Sequence, residues 1–169
     1  PQNVEKKYLE VLEELPKFQV VAGKTLNFQY CHKFERFDSK LMLFDMHNFR
    51  DQFLSTLNIP FDNDKLENDF QNLSAYLSKI PSEHFMYRDF QSRNIMFHND
   101  QPYFIDFQGG CRGALQYDVA SLLFQAQARI PEAARIRLLN FYLDSLENYL
   151  KFNRDEFLEN YYAFVLLRI

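Results

Sequence analysis

The stretch Phe85-Met86-Tyr87-Arg88-Asp89-Phe90-Gln91-Ser92-Arg93-Asn94-Ile95-Met96-Phe97, followed by Tyr103-Phe104-Ile105-Asp106-Phe107-Gln108, decides how the rest of the chain is read. Its apolar pieces, Phe85-Met86, Ile95-Met96-Phe97 and Tyr103-Phe104-Ile105, have the length of short strands and are separated by polar turns. His98-Asn99-Asp100-Gln101-Pro102 is a natural turn between two of them. Asp89 precedes Asn94 in the first polar segment, and Asp106 closes the next strand. Taken singly, each of these residues is ordinary turn chemistry, because Asp and Asn favour local hydrogen bonds. Their order is more specific: an acid, an amide a short turn later, then a strand that ends in an acid. Strands on either side can fix three polar groups around one centre, which a loose loop cannot.

Helical periodicity dominates on both sides of this segment. Val4, Tyr8, Val11, Leu12 and Leu15 form one apolar face that Pro16 is expected to end, and Val20 to Tyr30 reads as a loop. Ser39 is expected to cap a helix from Lys40 to about Leu57, with Leu41, Phe44, Phe53, Leu54 and Leu57 facing inward. Leu66, Phe70, Leu73 and Leu77 repeat at helical spacing and stop before Pro81. Helical spacing returns from Tyr117 through Ala128; Pro131 then opens a helix reaching about Leu150, and Asp155 or a neighbour starts the last one. Three of the four glycines fall within Gly109–Gly113, so a loop with unusual dihedrals or a close ligand approach is expected there. The fold class is α+β and mainly α: helices around a small β-hairpin insert.

Bulk properties narrow the function. At 169 residues the chain is one domain's worth, and a hydrophobic share of 47% with 19 Phe and 10 Tyr supplies enough apolar surface for a core. Phe34, Phe37, Phe44 and Phe49 are accordingly read as core rather than as a platform for stacking sugars. A net charge of −4 without a lysine or arginine run argues against a nucleic-acid partner. No segment is apolar enough to span a bilayer and no secretory leader opens the chain, so no membrane partner and a cytoplasmic location are expected. Cys31 and Cys111 read as idle thiols in a reducing compartment, and His32, His47, His84 and His98 show no ligand spacing.

The segments Tyr87-Arg88-Asp89-Phe90-Gln91-Ser92-Arg93-Asn94-Ile95-Met96 and Phe104-Ile105-Asp106-Phe107-Gln108-Gly109-Gly110 resemble the aminoglycoside-phosphotransferase and choline-kinase superfamily, which has a protein-kinase-like fold. With Gly113-Ala114-Leu115-Gln116-Tyr117-Asp118-Val119-Ala120-Ser121-Leu122, they are most similar to bacterial kinases of the anomeric hydroxyl of N-acetylmuramate or N-acetylglucosamine. The motif core runs from Phe85 to Leu123, and the flanking helical pattern is compatible with that fold's C-terminal lobe. The resemblance implies transfer of the γ-phosphate of ATP to a hydroxyl of a small molecule, an amino sugar, with Mg²⁺ as the metal. Asp89 would be the catalytic base, Asn94 and Asp106 the magnesium ligands, and Asp118 a structural buttress of the loop. Gln91, Arg93 and Gln108 would face substrate or phosphates; the bland alternative for Arg88 and Arg93 is a salt bridge that braces the loop. The residue types suit the chemistry, since phosphoryl transfer needs positioned reactants, neutralised charge and hard oxygen donors for Mg²⁺. Tyr87 departs from the family, which has His two residues before the catalytic Asp; it is read as a substitute packing and hydrogen-bonding element.

Residues 1–84 contain a single glycine, Gly23, so neither a glycine-rich phosphate loop nor a Walker-type loop precedes the motif. The expectation is that residues 1–169 form the C-terminal lobe, that the nucleotide lobe lies upstream as a missing partner, and that the isolated lobe is inactive. One alternative keeps the mechanism and changes the acceptor to choline, an amino alcohol or an aminoglycoside. Such cations call for carboxylates after Asp106, but Glu132, Asp144, Glu147, Asp155, Glu156 and Glu159 are mixed with basic residues and read as solvated faces. A catalytically silent binding or regulatory module comes third. Asp45 and His47 ride on the Lys40–Leu57 helix, where some relatives contact substrate.

Overall fold

The computed structural model describes residues 2–31, 34–57 and 59–168; His32 lies outside the described residues. Helix α1 (Gln2–Pro16) buries Val11, Leu12 and Leu15, as their spacing predicts, and leaves Val4 exposed. The α-helix ends at Pro16 as expected, but the helical path does not. The chain continues through a π-helical turn at Lys17–Ala22 into α2 (Gly23–Thr25) and a 3₁₀ turn at Phe28–Tyr30. A proline in a helix removes one N–H donor and crowds the turn before it, and here the α-helical pattern gives way to the wider π turn directly after Pro16. Most of the Val20–Tyr30 segment read as a loop is therefore helical, and the π turn buries Gln19 and Val20.

Helix α3 (Ser39–Gln52) is capped by Asp38, whose carboxylate accepts the N–H of Leu41, one residue earlier than the expected Ser39. Its buried stripe is Leu41, Met42 and Met46. Phe44 lies on the opposite side and is 57% exposed; Phe53 and Leu57 fall beyond the helix end and are also exposed, correcting their inward assignment. Of the phenylalanines assigned to the core, Phe37 is buried while Phe34 and Phe49 are exposed. Helix α4 (Asn63–Leu77) is capped by Asp62 and packs Phe70 and Leu77 inward. Helix α5 (Leu115–Leu123) is buried along its whole length and forms the centre of the core. Full burial of a residue such as Leu122 or Leu123 contributes roughly 1.5–3 kcal/mol. Helix α6 (Glu132–Glu147) follows Pro131 and packs on α1, while α7 (Arg154–Arg168), capped by the Asn153 side chain, packs on α5. Among the described residues, no helix is long and apolar enough to cross a membrane.

The expected hairpin is β2 (Ile95–His98) with β3 (Gln101–Phe104), with Ile95 opposite Phe104 and His98 opposite Gln101. Asn99 and Asp100 both adopt left-handed backbone, φ 50° and 58°, as a two-residue hairpin turn requires. A second antiparallel pair was not expected: β1 (His84–Met86) aligns with β4 (Cys111–Gly113), Phe85 opposite Arg112. The far edge of β4 is covered by the segment before α3, where the Phe37 N–H donates to the Arg112 carbonyl at 2.8 Å. The loop carrying Asp89 and Asn94 joins β1 to β2, and the one carrying Asp106 joins β3 to β4. Each loop thus runs from one sheet to the other.

Of the two uses expected of the glycine cluster, unusual dihedrals do not occur among the described glycines, while Gly109 does line the cavity described below. No described glycine has positive φ; those conformations fall on Arg88, Asn99, Asp100, Asp106 and Arg129. Gly113 lets β4 lie against β1, since a Cβ there would come within 2.6 Å of Met86 Sδ and 2.8 Å of Met86 Cβ. Gly113→Ala is therefore expected to destabilise the fold by about 1–3 kcal/mol in urea denaturation. Gly109→Ala, where nothing lies within 4 Å of the added methyl, should stay near the wild type.

Candidate active site

Chain leaving β1 is seized at once by α5. Asp118, in the first turn of that helix and fully buried, accepts the Tyr87 N–H on Oδ2 at 2.8 Å and the Arg88 N–H on Oδ1 at 2.9 Å. Gln19, from the π turn, donates Nε2 to Asp118 Oδ2 at 3.3 Å and to the Leu115 carbonyl at 3.1 Å, and accepts the Tyr142 hydroxyl at 2.6 Å. Burial pushes the Asp118 carboxyl up to about 7, against the N–H donors of Tyr87, Arg88 and Gln19 and the charge of Arg168. Arg88 is held left-handed at φ 74° by this grip on its N–H and by its guanidinium, which donates to both oxygens of Asp45 at 3.0 and 3.1 Å. Strained backbone of this kind persists only where its surroundings over-determine it.

Asp89 comes next. Its Oδ2 accepts Asn94 Nδ2 at 2.9 Å and an Arg93 N–H at 2.8 Å, and an Arg168 N–H lies 3.5 Å from Oδ1. The buried Asn94 amide also donates to the Asp89 carbonyl, which fixes its nitrogen inward and leaves its oxygen as an acceptor. Phe90 anchors the loop beneath: it is fully buried, stacked on Phe104 at 5.7 Å and edge-on to Tyr87 at 5.3 Å. Gln91 takes part through its backbone, donating to the Asp89 carbonyl and accepting from the Asn94 N–H, and its side chain does not line the cavity described below.

Asp106 is brought to Asn94 by two bonds to its predecessor. The Ile105 N–H donates to the Asn94 carbonyl at 3.0 Å, and the Tyr87 hydroxyl donates to the Ile105 carbonyl at 2.6 Å. Burial, with Asp106, Asp118 and Asp89 nearby, pushes the Tyr87 phenol up to about 12, so it keeps the proton it donates. Asp106 itself is left-handed, φ 67°, and accepts from Gln108 Nε2. A cavity of about 440 Å³ opens over these groups, its walls carrying Asp45, Asp89 and Asp106 together with Arg88, Arg93 and Arg168. Gln108 and Tyr117 complete the polar lining.

Two residues that sequence reasoning missed stand close to the loop. Gln19 sat in a stretch read partly as a loop, and Arg168 follows the apolar run Phe164-Val165-Leu166-Leu167 with no local signal of its position. None of the described histidines lines the cavity; His47 pairs with Glu67 at 2.9 Å instead. Cys31 and Cys111 are both free thiols.

Among the described residues, no cluster of three or more His, Cys, Asp or Glu suited to a metal occurs. The donor set of Asn94 and Asp106 still fits Mg²⁺, which keeps several waters and is usually bound by one or two carboxylates plus substrate phosphates rather than in a protein cage. Both residues offer hard oxygens, and the inward-turned Asn94 nitrogen leaves its oxygen available.

The chain matches the phosphotransferase enzyme family (APH) over residues 35–156, well over half its length and including every cavity-lining residue named here except Arg168. It belongs to that family. A search of curated proteins finds no match.

The Asp118 grip makes two expectations. Asp118→Ala strands two buried backbone N–H groups and should cost about 2–4 kcal/mol in chemical denaturation. The folded value is raised from 3.8 to about 7, so the contribution of Asp118 is fully present below pH 3.8 and is lost as pH rises through about 7. The variant should lack that part of the wild-type decline.

Proposed function

We propose that residues 1–169 are the catalytic C-terminal lobe of a kinase that uses Mg-ATP to phosphorylate a hydroxyl of a small molecule, an amino sugar, in the cytoplasm. The observation that carries this reading is the arrangement of Asp89, whose Oδ2 is held by Asn94 and Arg93 at the cavity that Asp106 also lines. In this reading Oδ1 of Asp89 takes the proton of the acceptor hydroxyl. The acceptor's hydroxyl oxygen, freed of that proton, forms a bond to the γ-phosphorus, the bond to the β,γ-bridging oxygen breaks, and ADP leaves. Magnesium, when held by Asn94 and Asp106, would neutralise charge on the phosphates. Arg93 and Gln108 line the same cavity, and in this reading they meet phosphate oxygens. The nucleotide's other contacts come from a second lobe, the partner that the absence of a glycine-rich loop implies.

An N-acetylated amino sugar, which carries no positive charge, suits this cavity better than a cation. Asp45 is neutralised by Arg88 and Asp89 by Arg93, leaving no pair of spare carboxylates in its walls. Glu132, Asp144, Glu147, Asp155, Glu156 and Glu159 are all exposed and none lines it.

The test uses the full-length protein with Mg-ATP and a panel of N-acetylmuramate, N-acetylglucosamine, choline and an aminoglycoside. Transfer to an amino sugar is expected, with Asp89→Asn slower by about 10²–10⁴-fold. Asp106→Asn should raise the magnesium concentration needed for half-maximal rate. Binding of Mg-ATP without transfer to any acceptor would overturn the acceptor class, and failure to bind Mg-ATP would overturn the kinase reading itself.

A further inference from the structure

We infer that Arg168, delivered by the last helix, is a positioning residue for Asp89; the inference rests on the reading of Asp89 as the base. The two oxygens of Asp89 are held differently. Oδ2 accepts from Asn94 at 2.9 Å and Arg93 at 2.8 Å, whereas the hydrogen bond found at Oδ1 among the described residues is from Arg168 Nη2 at 3.5 Å. Rotation about the Cβ–Cγ bond would exchange the two oxygens, and a donor on each side resists it. Oδ1, with only this one long contact, is the oxygen with room for an acceptor hydroxyl.

Arg168 is itself fixed. Its Nε donates to Ser121 Oγ at 3.0 Å, and Ser121 is a buried residue of α5 one turn beyond Asp118. Helix α5 therefore governs the base twice: its backbone through Asp118, and its side chain through Ser121 and Arg168. Arg93 cannot substitute for this tie. It belongs to the same loop as Asp89, moves with it, and has a side chain 67% exposed, against 26% for Arg168. Arginine also suits the task because its guanidinium donates without giving up a proton, so it does not compete with the hydroxyl for the base.

The test is a steady-state comparison of full-length wild type, R168M, R168K, D89N and D89N/R168M with Mg-ATP and an acceptor that the wild type phosphorylates. R168M is expected to lower kcat at least tenfold with both KM values within threefold of the wild type, and R168K to recover part of the loss. The double variant should be no slower than D89N, because a residue that acts through Asp89 has nothing to add once the carboxylate is gone. An unchanged kcat, a loss expressed in KM, or a loss that multiplies on top of D89N would overturn the inference while leaving the kinase reading intact. If D89N transfers phosphate like the wild type, the base assignment falls and this inference falls with it. Should R168M fail to fold, R168K decides alone: a fall in kcat with KM preserved supports the role, and wild-type kcat refutes it.

Discussion

A fully buried carboxylate, Asp118, grips the backbone N–H groups of Tyr87 and Arg88, and the geometry of the cavity follows from that contact. Removing a charge from water is costly unless it is hydrogen-bonded, so the site exists only because donors converge on it. Two come from the loop and one from Gln19, which lies in the π turn after Pro16. The Tyr142 hydroxyl in turn holds Gln19, connecting α6 to the loop through a chain of satisfied groups. In a low-dielectric interior such a network is rigid when complete and costly when broken.

From that anchor the two loops are fastened to each other rather than to a single sheet. The Tyr87 hydroxyl and the Asn94 carbonyl both bind Ile105, so the residue before Asp106 is held from two sides. Left-handed backbone at Arg88 and Asp106 directs the chain at the two points where it turns into the cavity. This division of labour places strain at the candidate site and relies on the packed core around α5 to sustain it. Tyrosine at position 87 fits the scheme: a buried phenol that retains its proton can donate to a carbonyl, which is the use made of it here.

Much of the architecture was legible along the chain. The hairpin, the α4 face and the helix after Pro131 came from local periodicity and turn chemistry, which depend on neighbours a few residues away. The errors have local causes as well. The α-helix does stop at Pro16, but the π turn that continues the helical path into the segment read as a loop leaves no compositional trace. Phe44, Phe53 and Leu57 were placed inside on hydrophobicity alone, but the side of α3 that packs is set by Met42 and Met46. The glycine cluster is expected to supply unusual dihedrals or a close ligand approach; the dihedrals are ordinary, Gly109 lines the cavity, and Gly113 allows close approach to Met86.

The order of Asp89, Asn94 and Asp106 between strand-like segments is a property of the sequence by itself, and it is enough to point to the phosphotransferase family that the chain belongs to. Chain order and spacing are what such a motif consists of. The tertiary structure alone decided which side chains brace the loop: Gln19, Asp45 and Arg168 come from the two ends of the chain and from α3, each apart in sequence from the loop it supports. No local pattern marks them, because hydrogen bonds between residues 43, 79 or 99 positions apart are set by how helices pack and not by what precedes or follows a residue in the chain.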